Sequence, residues 1–241
     1  MPRSNRYLVA GYTYHLMHRC QNREFHLKRV RERDVYRKWL REGVRRFDVS
    51  VYAYTVTHNH VHVVAHADDL ESITGMMHLA SGSAAKQYNL RTGHLGSLWE
   101  HPFQCTLIEG REHLMNCLAY VDLNMVRAGV VKHPSEWRWC GYDELTGRRS
   151  RYCVLNTERF METLEYNSLK EFQTVYGELI RNKIESDELK RDSCWTEALA
   201  VGSREFIEKA RMLYPYRRYL YPEEVDSSST DLWCVREDSS S

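Results

Sequence analysis

The chain has 241 residues, 42% of them hydrophobic and 12% aromatic, enough to bury one core of average size and to carry a smaller second unit. It contains no run of about eighteen apolar residues and no charged-then-apolar leader, so we expect a cytoplasmic protein without a membrane span. Its seven cysteines are scattered without a Cys-x-x-Cys pair, and its net charge is +1, which argues against a disulfide framework, a zinc knuckle and a uniformly basic protein.

In chain order, residues 1–145 predict strand, helix, strand, strand, helix, strand and helix. The predicted elements are strand Tyr12–Met17, basic helix Lys28–Arg46, strands Val49–Thr57 and His60–His66 around a short turn, helix Leu70–Tyr88, strand Phe103–Ile108 and helix Glu112–Val126. The short turn favours a hairpin over a crossover between the two middle strands. This order is that of an α+β ferredoxin-like sandwich, an antiparallel sheet with helices on one face.

After residue 145 the pattern changes. Residues 146–222 predict an α-helical extension, with its clearest helices at Thr157–Tyr166, Ser168–Lys183 and Ser203–Leu213. Residues 223–241 are rich in serine and acidic residues, and this composition predicts a disordered tail. We therefore expect a first domain at 1–145, followed by the helical extension and the tail.

The basic residues are concentrated in the first fifth of the chain. Residues 1–50 carry 13 Lys and Arg against 5 Asp and Glu, a net charge of +8, whereas the rest of the chain is net acidic. Clustered basic side chains neutralise a nucleic-acid backbone whatever the charge of the whole protein. A solvated helix face would give the same pattern over residues 28–46. The candidate DNA-binding residues are Arg19, Arg23, Arg37, Lys38 and Arg41, with Arg127 further along the chain.

The most informative motif is His60-Val61-His62, with Tyr120 and Asn124 downstream. Alternate residues of a strand share a face, so the two imidazoles can reach one metal ion. Residues four apart in a helix share a face, so Tyr120 and Asn124 project together. A phenol with a pKa near 10 attacks phosphorus poorly unless a metal ion polarises the phosphoryl oxygens. The four residues together therefore predict a metal-assisted phosphodiester transesterification.

Each of these residues alone has a structural interpretation. A His-x-His pair on a strand is more often packed than ligating, Tyr120 alone would be a core aromatic, and Asn124 alone could be a helix cap. Their joint occurrence in this order favours the catalytic interpretation.

Two longer segments resemble a known family. Asn59-His60-Val61-His62-Val63-Val64 and the segment from Tyr120 to Val131 are similar to the single-tyrosine HUH transposases, and most of all to their REP-associated (RAYT) branch. Shorter features agree, including Tyr14-His15-Leu16 and Leu98-Trp99-Glu100. The resemblance covers roughly residues 1–145. It departs from the family pattern at three positions that carry no catalytic group, His58, Asp122 and Met125.

The resemblance implies a ferredoxin-like fold and a transient 5′-phosphotyrosine on single-stranded or hairpin DNA. It implies that Tyr120 is the nucleophile and that His60, His62 and Asn124 hold a divalent metal, Mg²⁺ or Mn²⁺. The family allows a homodimer as well as a monomer. Two other functions fit the residues: a DNA-hairpin-binding protein with little or no strand transfer, and a metal-dependent RNA-processing protein.

Overall fold

The structure is a computed structural model that describes residues 8–100, 102–186, 189, 191–214, 220–225 and 231–237. Up to residue 122 it contains the predicted elements in the predicted order, and the α+β class is confirmed. These elements are β1 (Tyr12–Arg19), α1 (Val30–Arg46), β2 (Ser50–Val56), β3 (His60–Ala67), α2 (Leu70–Thr92), β4 (Gln104–Ile108) and α3 (Glu112–Asp122); two single turns follow, α4 (Asn124–Arg127) and α5 (Tyr142–Leu145).

The first four strands are antiparallel neighbours in one sheet, in the order β2-β3-β1-β4. β3 pairs with β2 as a hairpin, as predicted, and with β1 on its other side. In the β1 register Arg19 lies opposite His60, and Met17 lies opposite His62. The two histidines therefore stand inside the sheet and not on an edge strand.

Helices α1 and α2 pack together and cover the Val61 face of the sheet. Tyr36 of α1 contacts Trp99, with ring centroids 5.7 Å apart. Trp99 in turn stacks at 4.3 Å on His18, which is the β1 partner of Val61. Because residues paired across an antiparallel ladder share a face, α1 lies on the side opposite to His62.

Helix α3 covers the other face, that of His62. The hydroxyl of Thr55, the β2 partner of His62, donates a 2.9 Å hydrogen bond to the carbonyl of Val121 in α3. The helices thus lie on both faces of the sheet, and the prediction of helices on one face is corrected. Hydrophobic periodicity identifies the buried side of a helix but does not say which face of a sheet that side meets.

The carboxy-terminal region contains strands as well as helices, so the predicted purely helical extension is corrected. Strand β5 (Ala200–Gly202) pairs in parallel with β4 across the predicted boundary at residue 145. With β6 (Leu220–Glu224) and β7 (Trp233–Glu237), the sheet continues in the order β4-β5-β7-β6. A three-residue strand is too short to show a period, and its partner lies far upstream, so local pattern could not find it. The elements here are α6 (Thr157–Leu164), α7 (Leu169–Glu185), α8 (Cys194–Glu197), β5 (Ala200–Gly202), α9 (Arg204–Leu213), β6 (Leu220–Glu224) and β7 (Trp233–Glu237).

The predicted disordered tail is also corrected where the structure describes it. β6 extends to Glu224, and β7 occupies Trp233–Glu237. The predicted tail residues 226–230 and 238–241 lie outside the described residues. Within the described ranges, no helix has both the length and the apolar character that crossing a membrane requires. The domain boundaries at residues 145 and 222 stay a prediction.

Candidate functional site

The histidines His60 and His62 point to the same side of the sheet, as strand alternation predicts. Their ring centroids lie 4.8 Å apart, and the rings are nearly perpendicular, at 87°. The turn between β2 and β3 places two oxygens against Nδ1 of His60: Oδ1 of Asn59 at 2.8 Å and Oγ1 of Thr57 at 3.0 Å. A proton on Nδ1 satisfies the Asn59 oxygen and leaves the lone pair of His60 on Nε2.

The ring of His62 is held at both nitrogens. Its Nδ1 lies 2.8 Å from Nε2 of His15, which is on the neighbouring strand β1. Its Nε2 lies 3.0 Å from Nδ2 of Asn124, which is on α4. His15 and His62 are both buried. Strand β1 therefore contacts one nitrogen of this imidazole through His15, and α4 contacts the other through Asn124.

Tyr120 and Asn124 approach the histidines from an interrupted helix. The predicted helix through Val126 breaks at Leu123, which has φ −77° and ψ 1°, so α3 ends at Asp122 and α4 begins at Asn124. Backbone hydrogen bonds across the break keep the chain helical in direction. Tyr120 and Asn124 consequently still line the same cleft as the histidines.

The ring of Tyr120 is enclosed by aromatic and basic side chains. Its centroid lies 6.0 Å from that of His62 and 6.2 Å from that of Trp195. The guanidinium carbon of Arg127 lies 4.2 Å from the ring centroid, a cation–π distance. Burial raises the pKa of the Tyr120 phenol above its usual value, while Arg127 and Arg191 act in the opposite direction. The resting phenol is therefore protonated at neutral pH.

A cleft of about 370 Å³ opens over these groups. Four of its lining side chains are arginines, and none of its described lining residues is acidic. Burial lowers the pKa of Arg19, and the neighbouring Arg23 lowers it further. Like charges crowded in this way favour a bound polyanion such as a phosphate backbone. The lining residues are Arg19, Arg23, Asn59, His60, His62, Tyr120, Asn124, Arg127, Ala128, Arg191 and Thr196.

The imidazoles of the site are neutral at physiological pH. Burial lowers the pKa of His15 to about 4 and, with the nearby Arg19, lowers the pKa of His60 to about 3. Burial, with His60 and His15 beside it, also holds the pKa of His62 well below the usual range. A neutral imidazole carries the lone pair that binds a metal ion.

The donor set fits a divalent cation. Within the described residues, no group of three or more His, Cys, Asp and Glu side chains is arranged to hold a metal. The Asn124 amide lies 3.0 Å from Nε2 of His62, so it is the candidate third ligand for a metal held by His60 and His62. An amide oxygen is a ligand that Mg²⁺ and Mn²⁺ accept, and three protein ligands leave positions for water and phosphate oxygens. A half-turn of the Asn124 amide about its terminal torsion would present Oδ1 in place of Nδ2.

The basic residues of α1 lie outside this cleft. Arg37 has a structural role, because its Nη2 lies 3.2 Å from Oε1 of the buried Glu144 and its Nε donates to the Tyr54 hydroxyl at 2.7 Å. Lys38 and Arg41 are on the same helix. DNA contact by these three basic residues stays a prediction, whereas Arg19, Arg23 and Arg127 are brought together with Tyr120.

Four residues of the site were missed by the sequence interpretation. Arg191 and Thr196 line the cleft, and Trp195 and His15 stand behind it. His15 carried a weak signal, because it alternates with Met17 on a predicted strand and belongs to a motif of the family resemblance. Arg191 carried none, since it follows Lys190 in a segment where basic and acidic residues are mixed.

Parts of the chain are similar to known proteins. Residues 8–124 match the family model described as IS200-like transposase. Among solved structures, the fold is similar to that of a REP-associated tyrosine transposase bound to a REP hairpin, with 21% identity over 61% of this chain and 87% of that chain and a TM-score of 0.50. A predicted transposase from Deinococcus radiodurans R1 is 20% identical over 48% of this chain and 91% of that chain, with a TM-score of 0.35. No curated protein matches the chain in sequence.

The family match contains His60, His62, Tyr120 and Asn124, and it ends at the first residue of α4. The motif around His60 lies within the matching residues, whereas the segment from Tyr120 to Val131 extends beyond them. Over residues 8–124, just under half of its length, the chain is therefore similar to the IS200-like transposase family.

Proposed function

We propose that the protein cleaves and rejoins single-stranded DNA through a covalent 5′-phosphotyrosine at Tyr120, in DNA transposition. The observation that supports this function is the convergence in one cleft of a tyrosine, two neutral imidazoles, an amide and four arginines. A surface that only binds DNA would use the arginines but would have no need of neutral imidazoles beside a tyrosine.

The proposed substrate is a DNA hairpin with a single-stranded flank, as in the RAYT branch. The similar solved structure holds a REP hairpin, and the resemblance of the motifs around His60 and Tyr120 points to the same branch. The arginines of the cleft suit the flank, because a positively charged groove binds the backbone of an unpaired strand.

In the proposed reaction, Oη of Tyr120 attacks the scissile phosphorus. The bond from Tyr120 to phosphorus forms while the bond from phosphorus to the 3′ oxygen of the leaving strand breaks. The phenol gives up its proton and the leaving 3′ oxygen takes one up, so charge and atoms balance. Because the phosphodiester is exchanged for a phosphotyrosine, attack by the 3′ hydroxyl of another strand rejoins DNA without ATP.

The arginines prepare this step electrostatically. Arg127 lies over the ring of Tyr120, and its Nη2 donates to the Tyr120 carbonyl at 3.2 Å. It thus contacts both the side chain and the main chain of the nucleophile and orients it. Arg127 and Arg191 both lower the pKa of the phenol, and they therefore stabilise the phenolate as it forms. Arg19 and Arg23 line the same cleft, and Arg19 lies opposite His60 on the neighbouring strand. Both would bind the phosphates of the strand.

His60, His62 and Asn124 would hold the divalent metal, Mg²⁺ or Mn²⁺. When bound, the ion polarises the phosphoryl oxygens and stabilises the charge that develops on them. The protein contributes neutral imidazoles whose orientation is set before the ion arrives, through the contacts at Nδ1 of each ring.

A second function, hairpin binding with little strand transfer, is favoured by one observation. Tyr120 is only 8% exposed, and its burial raises the pKa of the phenol. A nucleophile of that kind is costly to deprotonate. The test of the proposed function is designed so that this alternative gives a different result.

The test is covalent capture of a labelled hairpin oligonucleotide. In the presence of Mn²⁺ or Mg²⁺, the wild type should give an adduct that survives denaturing electrophoresis, and Tyr120→Phe should give none while its hairpin affinity stays within about threefold. Tyr152→Phe is the matched control, because Tyr152 is 71% exposed and lies outside the cleft. Hairpin binding without an adduct in the wild type would favour the binding protein, and an adduct retained by Tyr120→Phe would refute the assignment of the nucleophile.

A further inference from the structure

His15 stands behind the cleft and has a partner at each ring nitrogen. Its Nδ1 lies 2.5 Å from the main-chain oxygen of Trp195, and its Nε2 lies 2.8 Å from Nδ1 of His62. The rings of His15 and His62 are stacked, with centroids 4.9 Å apart and an interplanar angle of 15°. The side chain is 1% exposed, so DNA in the cleft would not reach it.

The Trp195 carbonyl fixes where the protons of this chain of contacts must be. A carbonyl oxygen only accepts hydrogen bonds, so Nδ1 of His15 must carry the proton. A neutral imidazole has one N–H, so Nε2 of His15 is an acceptor and takes its hydrogen bond from Nδ1–H of His62. The lone pair of His62 is then on Nε2, the nitrogen that lies beside Asn124. The opposite tautomer of His62, with its proton on Nε2, would place the lone pair of its Nδ1 against the lone pair of Nε2 of His15.

We propose that His15 is a positioning residue. Because its Nδ1–H donates to the Trp195 carbonyl, its Nε2 accepts from Nδ1–H of His62, and this contact keeps Nε2, the ligating nitrogen of His62, turned toward the cleft. The Trp195 carbonyl belongs to α8, outside the residues 8–124 that match the family model. The carboxy-terminal region is thereby part of the catalytic apparatus. The inference rests on the proposed function to the extent that His62 is a metal ligand there.

The distinguishing variants are His15→Phe and His15→Gln. Phenylalanine keeps a flat ring of similar volume in the buried site but removes both nitrogens. Glutamine can restore the relay, that is, the two hydrogen bonds that link the Trp195 carbonyl to His62. Its amide donates through nitrogen to the Trp195 carbonyl and accepts through oxygen from His62. A residue that only filled space would be replaced better by phenylalanine, whereas a positioning residue would be replaced better by glutamine.

The first measurement is the tautomer of His62 in the metal-free protein, from nitrogen–proton NMR correlations of the histidine side chains. We expect Nδ1–H in the wild type and in His15→Gln, and loss of that preference in His15→Phe. The second is Mn²⁺ affinity by calorimetry, which should fall about 10- to 100-fold in His15→Phe and stay within about threefold of the wild type in His15→Gln.

The outcomes separate this inference from the proposed function. A wild-type His62 found as the Nε2–H tautomer would overturn the relay even if the protein cleaves DNA. Unchanged Mn²⁺ affinity in a folded His15→Phe variant would overturn it as well. A wild type that binds no Mn²⁺ would count against the proposed function, while the tautomer would still decide the relay. If His15→Phe does not fold, the wild-type tautomer and the glutamine variant decide it.

Discussion

Replacing Arg19 and Arg23 by glutamine should flatten the salt dependence of DNA binding. Both line the cleft. Burial lowers the pKa of Arg19, and the neighbouring Arg23 lowers it further, so a bound phosphate would favour the charged form of Arg19. Each contact to single-stranded DNA contributes about 0.7 to the slope of log K against log salt, so two lost contacts should reduce that slope by about 1.4. Between about 50 and 200 mM salt, the variant should then lose about sevenfold less affinity than the wild type loses.

The assay is fluorescence anisotropy with a labelled hairpin that carries a single-stranded flank, in EDTA so that no cleavage occurs. The matched control is the double variant Lys38→Gln, Arg41→Gln, which removes the same charge from α1. Arg37 is kept in the control, because its ion pair with the buried Glu144 stabilises the fold.

A slope that falls only in the α1 variant would refute the assignment of the cleft as the DNA path. It would support instead the prediction made from the clustered charge of the first fifty residues. A fall of similar size in both variants would mean that the bound strand crosses both faces of the sheet, since α1 and the cleft lie on opposite sides.

Two further predictions concern the metal ligands and the pH dependence of stability. His60→Ala or His62→Ala should abolish metal-dependent cleavage and weaken Mn²⁺ binding at least about tenfold by calorimetry, and unchanged binding in both would place the ion elsewhere. Burial raises the pKa of Asp122, which accepts a 2.7 Å hydrogen bond from Tyr176, from 3.8 to about 7. The folded state therefore binds this proton more tightly, so the contribution of Asp122 to stability is complete below the unfolded pKa and is lost as pH rises through the folded pKa. From about pH 6 to 8, the wild type should lose on the order of 1 kcal/mol of unfolding free energy relative to Asp122→Asn in urea titrations, and parallel profiles of the two proteins would contradict this.

The sequence by itself determined the local geometry of the site. The period of a strand places His60 and His62 on one face, and the period of a helix places Tyr120 one turn from Asn124. These relations depend only on backbone dihedrals within a few residues. They survive the interruption at Leu123, since Tyr120 and Asn124 line the same cleft in the structure.

Only the tertiary structure decided which distant groups meet that site. The face of the sheet covered by α3, the parallel pairing of β5 with β4, and the use of Arg37 in a buried ion pair depend on how separate elements pack. The contact of His15 with the Trp195 carbonyl joins residues 180 positions apart. Local periodicity indicates which side of an element is apolar. It does not indicate which other element that side will contact, because this depends on how the whole chain packs around one core.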